Sequence, residues 1–341
     1  MPGSPCTGSF GSGKALTTAL VTGAAGFVGS HLCEALLSQG ATVLGVDSFA
    51  DHYERYEKEL NLVPACGRPE FEFVEGDLLE LPLAEMLSGV DVVFHLAARP
   101  GVRDSWAYFD DYLRANVLAS RTVFAAAAAA GVRVVYASSS SVYGDAADLP
   151  VTESHPLRPV SPYGATKVSM EMLAGAYIAS YGLAACGLRY FTVYGPRQRP
   201  DMGITRFITA ALDGRPLGIY GDGLQRRDMT YVADVVAGTI AASRVDSAPG
   251  AVYNLASSAP ESLVAIVERL RRVIQVPVTV THETSKRGDV RDTWGDIHAA
   301  AAALGYHPQT SLEAGLALQV AEVKRRRELS SGTAQAVVPQ S

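Results

Sequence analysis

Tyr163 and Lys167 stand four residues apart in Ser161-Pro162-Tyr163-Gly164-Ala165-Thr166-Lys167. Pro162 suits the first turn of a helix, and a helix brings positions i and i+4 onto one face. A Tyr-x-x-x-Lys spacing is often just a solvated helix face. A run of hydroxyls, Ser138-Ser139-Ser140-Ser141, gives this one more weight, because it follows an apolar stretch ending at Ala137. Free tyrosine, with a pKa of about 10, is a poor base at neutral pH. An adjacent ammonium favours its phenolate, and a serine hydroxyl can orient and polarise a reacting oxygen. Such a trio suits taking a proton from a sugar hydroxyl while hydride leaves the same carbon.

That chemistry needs a hydride acceptor. Thr22-Gly23-Ala24-Ala25-Gly26-Phe27-Val28-Gly29 follows an apolar run and opens a helical one. Its glycines allow a tight turn, close backbone approach to a pyrophosphate, and close helix–strand packing. The helix start would offer free N–H groups to the phosphates. Asp47 closes the next apolar run, where a carboxylate can accept both ribose hydroxyls and would repel a 2′-phosphate. The pattern therefore predicts NAD rather than NADP, held by Gly23, Gly26, Phe27, Val28, Gly29 and Asp47. Asp77 and Leu78 are placed at the adenine edge. Leu96, Ala97 and Ala98 form a small-residue wall after a fourth strand, with Asn116, Tyr163, Lys167 and Tyr190 completing the cofactor site. His95 reads as a hydrogen-bonded structural histidine at the sheet edge.

The elements that must position these residues alternate. Strands are expected at 19–22, 42–47, 71–75, 90–96, 132–137 and 184–191, with helices over 26–39, 108–130 and 163–181. Near-continuous apolar strands separated by helices predict an α/β, doubly wound parallel sheet of Rossmann type. Residues 17–191 would form it, with 228–259 returning to it. Residues 192–227 and 260–328 would form a smaller C-terminal lobe. Residues 1–16 read as a flexible arm and 329–341 as a frayed tail. Gly8 to Lys14 imitates a phosphate loop, but Ala15 replaces the Ser or Thr and no strand precedes it.

Composition narrows the class. Of 341 residues, 48% are hydrophobic and 19% charged, which is globular rather than disordered. A net charge of −6 without a basic block argues against nucleic acid. No apolar run approaches the ~20 residues of a membrane span. The four scattered cysteines and seven histidines lack metal-site spacing, predict no metal, and fit a reducing cytoplasm.

Over residues 17–325 these motifs, in this order, resemble the extended short-chain dehydrogenase/reductases, in particular the nucleotide-sugar epimerases. The resemblance puts Ser139 in the catalytic Ser/Thr position. Where the related 4,6-dehydratases carry Asp-Glu, this chain has Ser140 and Ser141, and the uronate decarboxylases' Glu is Ser141. The stretch Arg189 to Met202, and His95 to Arg103, are similar to UDP-glucuronate 4-epimerases. That implies substrate contacts from Arg103, Ser139, Ser140 and Ser141, with Thr192 and Arg199 near a sugar carboxylate. Tyr220, Gln225 and Arg227 are implied at the UDP end, so that the smaller lobe binds UDP-sugar. Lys286, Arg287 and Asp289 stand where the family usually has Arg-Pro-Gly-Asp, and either basic residue could hold the diphosphate. Ser48 replaces a usual Asn. The family also implies a homodimer through helices 108–130 and 163–181. Open alternatives are a 4-epimerase of UDP-glucose or UDP-N-acetylglucosamine, a UDP-glucuronate decarboxylase, and a catalytically silent NAD-binding regulator.

Overall fold

The computed structural model describes residues 17–245, 250–284 and 290–335. Strands β1 (Thr18–Thr22), β2 (Thr42–Asp47), β3 (Phe71–Glu75), β4 (Val92–His95), β5 (Arg133–Ser139) and β6 (Ala185–Tyr190) join Val252–Leu255 in one seven-stranded sheet. Every pairing in it is parallel, in the order Val252–Leu255, β6, β5, β4, β1, β2, β3. The order reverses between β1 and β4, which is where such sheets bind ligands.

Alternate residues of each strand point to opposite layers. Ala19 and Val21 of β1 pack with helix α1 (Phe27–Ser38) and helix Val232–Arg244. Leu20 and Val134 pack on the other side with helices Ala119–Ala130 and Pro162–Tyr181. Each fully buried Leu or Val stabilises the sheet by roughly 1.5–3 kcal/mol.

Two expectations change here. Helix 108–130 is not one α-helix. Phe109–Tyr112 leads into a π-helical stretch, Leu113–Leu118, before Ala119–Ala130. Residues 329–335, expected in the tail, continue the helix Leu312–Gln335. Helix α2 (Arg55–Cys66) was not anticipated; its sequence is polar and carries Pro64.

The second lobe has its own core. Helices Gly203–Leu212, Leu263–Ile274 and Leu312–Gln335 enclose Ile208, Leu270, Ile274 and Leu316 beside the strand pair Leu217–Tyr220 and Val280–Glu283. Among the described residues no helix is long and apolar enough to cross a membrane, and no group of ligands suits a metal ion.

Candidate active site

A cleft of about 620 Å³ opens at the reversal of strand order. The β1–α1 loop forms one wall. Gly23 has φ +72, and a Cβ there would lie 2.9 Å from the Ala97 nitrogen at the end of β4. A Cβ on Gly29 would meet the Gly23 carbonyl at 2.0 Å. The turn therefore needs both glycines. No side chain caps the start of α1 at Gly26, so first-turn N–H groups border the cleft. A pyrophosphate fits that cradle.

Asp47 lies beside it. Its Oδ2 accepts from Ala25 N at 3.2 Å and its Oδ1 from Phe49 N at 2.9 Å. Each oxygen keeps a lone pair for a ribose hydroxyl. The buried Lys58 ammonium stands 3.7 Å from Asp47 Oδ1. At the adenine end, Asp77 accepts from Leu79 N and from Arg114. Burial works against its charge, but these two partners hold its carboxyl below the usual carboxylate range. Leu78, Leu96, Ala97, Ala98 and Tyr190 line the same cleft.

Ser139, Tyr163 and Lys167 line the same cleft. Ser161 caps helix Pro162–Tyr181 by accepting from Gly164 N at 3.1 Å. One turn in, Lys167 Nζ donates to the Ala137 carbonyl at 2.8 Å and stands 6.0 Å from the Tyr163 ring centre. β5 runs two residues beyond expectation and delivers Ser138 and Ser139 to the cleft. Burial pushes the Tyr163 phenol up; its hydrogen bond with Ser139 and the Arg199 charge act the other way. Burial lowers Lys167 to about 8, against the nearby Glu171. Glu171 also grips Arg189 (3.0 and 2.7 Å) and accepts from Ser138 Oγ. This buried pair fixes the helix carrying Tyr163 to the ends of β5 and β6.

Not every expected residue reaches the cleft. Asn116 is fully buried behind its wall, in the π-helical stretch. Its amide donates to the Arg99 carbonyl and Thr166 Oγ1, and its oxygen accepts from Arg99 N at 2.7 Å. His95 is structural, as expected, but lies in a central strand rather than at an edge. Its ring bonds Thr22 and Ser120, both at 2.9 Å, and burial holds it neutral, down to about 3. Ser120 donates onward to the Asn116 carbonyl, which puts the ring proton on Nε2.

On the sugar side, Ser139, Ser140, Ser141, Thr192 and Arg199 line the cleft. An adjoining cavity of about 160 Å³ shares Ser140, Ser141 and Thr192 and leads to Arg227. Arg227 donates to the Val290 and Arg291 carbonyls. Arg103 stacks on the Tyr220 ring at 4.3 Å, and Gln225 donates to the Tyr220 carbonyl at 2.6 Å. Lys286, Arg287 and Asp289 lie outside the described residues. Among the lining residues that the sequence reading missed are His52, Tyr53, Lys58 and Arg99. Arg99 packs between Tyr108 and Tyr112 and pairs with Asp111 at 2.8 Å. Its place directly after Ala97-Ala98 was the available signal; the aromatic pair after Asp47 was another.

Comparison with known proteins agrees with this geometry. The chain is 41% identical over 305 residues to YtcB of Bacillus subtilis (strain 168), named an uncharacterized UDP-glucose epimerase, covering 89% of this chain and 96% of that one. A UDP-glucuronic acid 4-epimerase from Bacillus cereus, solved with UDP-glucuronic acid and NAD, superposes with a TM-score of 0.88 at 38% identity, covering 91% of this chain and all of that one. MoeE5, solved with UDP-glucuronic acid and NAD, gives 0.82 at 42% identity, with 91% and 99% covered; it is also solved with UDP-glucose and NAD. The NAD dependent epimerase/dehydratase family model matches residues 19–256, and the chain belongs to that family.

Proposed function

We propose that the protein is an NAD-dependent UDP-sugar 4-epimerase that interconverts UDP-glucuronate and UDP-galacturonate. The carrying observation is one cleft with the Gly23–Gly29 cradle and Asp47 at one end, Ser139, Tyr163 and Lys167 in the middle, and Thr192 and Arg199 beyond them. When bound, NAD supplies hydride acceptance and return at C4, by way of a transient 4-keto sugar. Tyr163 takes the C4 hydroxyl proton and later gives one back. Ser139 holds the reacting oxygen toward the phenol, and Lys167 keeps positive charge beside it. Arg199 and Thr192 hold the C6 carboxylate; Arg, planar and permanently charged, suits that anion. Arg227 and Gln225 serve the UDP end. Ser140 and Ser141 cannot act as the acid–base pair that loss of water requires, and Ser141 replaces the decarboxylases' Glu.

The test is product analysis from UDP-glucuronate with purified protein and no added NAD. UDP-galacturonate is expected, and nicotinamide should be released on denaturation. UDP-xylose as the main product, or no turnover, overturns the reading. A second reading, 4-epimerisation of UDP-glucose, is favoured by the name of the Bacillus subtilis relative and by the UDP-glucose complex of MoeE5; the same assay with UDP-glucose tests it.

The proposal extends to a cytoplasmic homodimer. Trp106, Tyr108, Phe109, Leu113 and Leu118 on one segment, and Met172 and Tyr181 on helix Pro162–Tyr181, are exposed apolar side chains. Sedimentation at the monomer mass would reject that assembly. Cys33, Cys66 and Cys186 are free thiols, in keeping with a reducing compartment.

A further inference from the structure

Arg199 lines the cleft, yet its guanidinium is already held by a carboxylate. Its Nε donates to Asp201 Oδ1 and its Nη2 to Asp201 Oδ2, both at 2.9 Å. This is a side-on, bidentate pair, and it uses one edge of the guanidinium. Two of five N–H donors are spent. The end-on edge, formed by Nη1 and the second Nη2 proton, can still grip another carboxylate through two parallel bonds. Arg199 lines the cleft and Asp201 does not. The Arg199 side chain is 15% exposed, whereas that of Asp201 is 41% exposed.

We propose that Asp201 is a specificity-positioning residue: it clamps the side-on edge of Arg199 so that the end-on edge is presented to the C6 carboxylate of a UDP-uronate. This rests on the substrate reading above and deepens it. The alternative physical role for Asp201 is competition, in which it occupies Arg199 and repels an incoming carboxylate. Three features favour the clamp. The pair is local, two residues apart, across a turn closed by Met202 N bonding the Arg199 carbonyl at 3.1 Å. The turn is itself held from two sides. Gln198 donates to the Val193 carbonyl and accepts from Gln319 at 2.8 Å, while His31 bonds the Pro196 carbonyl at 2.9 Å. Finally, among the described residues no other Lys or Arg pairs with Asp201. His52 Nε2 lies 3.9 Å from Asp201 Oδ2, but burial and the Arg199 charge lower that imidazole's pKa below its ordinary value. A rotationally free arginine would lose side-chain entropy on gripping substrate; a clamped one has already lost it.

The experiment uses the NAD-loaded full chain and two probes, UDP-glucuronate and UDP-glucose. For wild type, Asp201→Ala, Asp201→Asn and Asp201→Glu, it reads kcat/KM and, by calorimetry, Kd for each nucleotide sugar. The uronate-to-glucose ratio of kcat/KM, and likewise of affinity (1/Kd), is expected to fall roughly tenfold in Asp201→Ala, since a misplaced contact of this kind costs up to about a hundredfold. Asp201→Asn, keeping one acceptor, should fall less. Asp201→Glu should restore part of the ratio. An unchanged ratio, or an equal loss on both sugars, would mean a merely structural residue and overturn the proposal. A raised ratio would make Asp201 a competitor and overturn it too. Wild type decides the underlying reading separately: if it does not prefer UDP-glucuronate, the substrate assignment fails whatever the variants do.

Discussion

The two ends of the cleft are built from different materials. At the cofactor end the wall is mostly backbone and short side chains at strand termini: Gly23, Gly26, Leu96, Ala97, Ala98. Asp47, the carboxylate beside the Gly-rich turn, is anchored by two backbone N–H groups. At the sugar end the polar groups come from loops. Arg199 hangs on Asp201, Thr192 follows β6, and Arg227 leans on the carbonyls of 290–291. A backbone wall is fixed once the sheet forms. A side-chain wall depends on contacts between segments far apart in the chain. The cofactor end should therefore tolerate changes in chemistry poorly but changes in partner little, while the sugar end can be retuned by single residues.

Tyr163→Phe tests the junction of the two ends and should have the largest effect. The ring keeps its edge-on packing against Tyr112, 6.2 Å between centres, while the acid/base hydroxyl is lost. Turnover should fall about 10²–10⁴-fold with NAD retention nearly intact. More than half the wild-type kcat would remove Tyr163 from the mechanism.

Arg199→Met addresses the sugar end alone. A charge-assisted bond to a carboxylate contributes roughly 1.5–3 kcal/mol, or about 10- to 150-fold. That loss should appear in kcat/KM for UDP-glucuronate and be small for UDP-glucose. Equal losses would mean that Arg199 does not read the carboxylate.

The same contrast explains what the sequence made legible. All six expected strands lie within two residues of their positions, and the Gly-rich turn, Asp47, Ser139, Tyr163 and Lys167 share one cleft. Apolar runs and strand-end motifs are local signals, and the parallel sheet turns them into neighbours. The π-helical stretch Leu113–Leu118 has no such signal. Its sequence is ordinary helix, and the register shift accompanies Asn116 reaching across to the backbone of Arg99. Helix α2 was hidden because it buries little apolar surface; Lys58 and Asn61 turn inward to polar partners instead. The Arg199–Asp201 clamp was equally invisible, because spacing of two residues in a loop predicts no geometry.

Acid should strain the seam between the halves. His31 on α1 bonds the Pro196 carbonyl, and burial, with Arg197 nearby, lowers it from 6.5 to about 4. A lowered folded-state value means the unfolded chain binds more protons between pH 6.5 and 4, so stability falls as pH falls through that window. At pH 5.5 the folded-to-unfolded ratio should drop about tenfold from His31 alone. His95, lowered to about 3 inside the cofactor half, adds a parallel term. Urea midpoints between pH 7.5 and 5.5 should show this slope, and His31→Gln should roughly halve it. An unchanged slope would place the acid sensitivity elsewhere.

The smallest effect tests whether the ends are independent at all. The helix Leu312–Gln335 packs with helices Gly203–Leu212 and Leu263–Ile274, yet its Arg326 reaches across to Asn61 on α2, beside the Gly-rich turn. Arg326 Nη2 donates to Asn61 Oδ1 at 2.7 Å, and Asn61 Nδ2 donates to the Ala25 carbonyl at 2.8 Å, inside the Gly-rich turn. Asn61 is almost completely buried, so its amide orientation is set by these two bonds. Arg326 is itself held by Glu57 and by Glu322, the latter at 2.7 Å. Arg326→Met keeps most of the stem but removes the donor to Asn61. Asn61 retains its bond to Ala25, so the turn should loosen rather than collapse. One lost bond of about 1 kcal/mol predicts roughly fivefold weaker NAD binding to stripped protein. Arg326→Lys, which can still donate, should recover part of it. Weaker NAD at an unchanged melting temperature would show that the sugar lobe helps set the cofactor cradle. A lower melting temperature with unchanged NAD affinity would confine Arg326 to holding the two lobes together, and the cofactor end would stand as the self-contained half of the cleft.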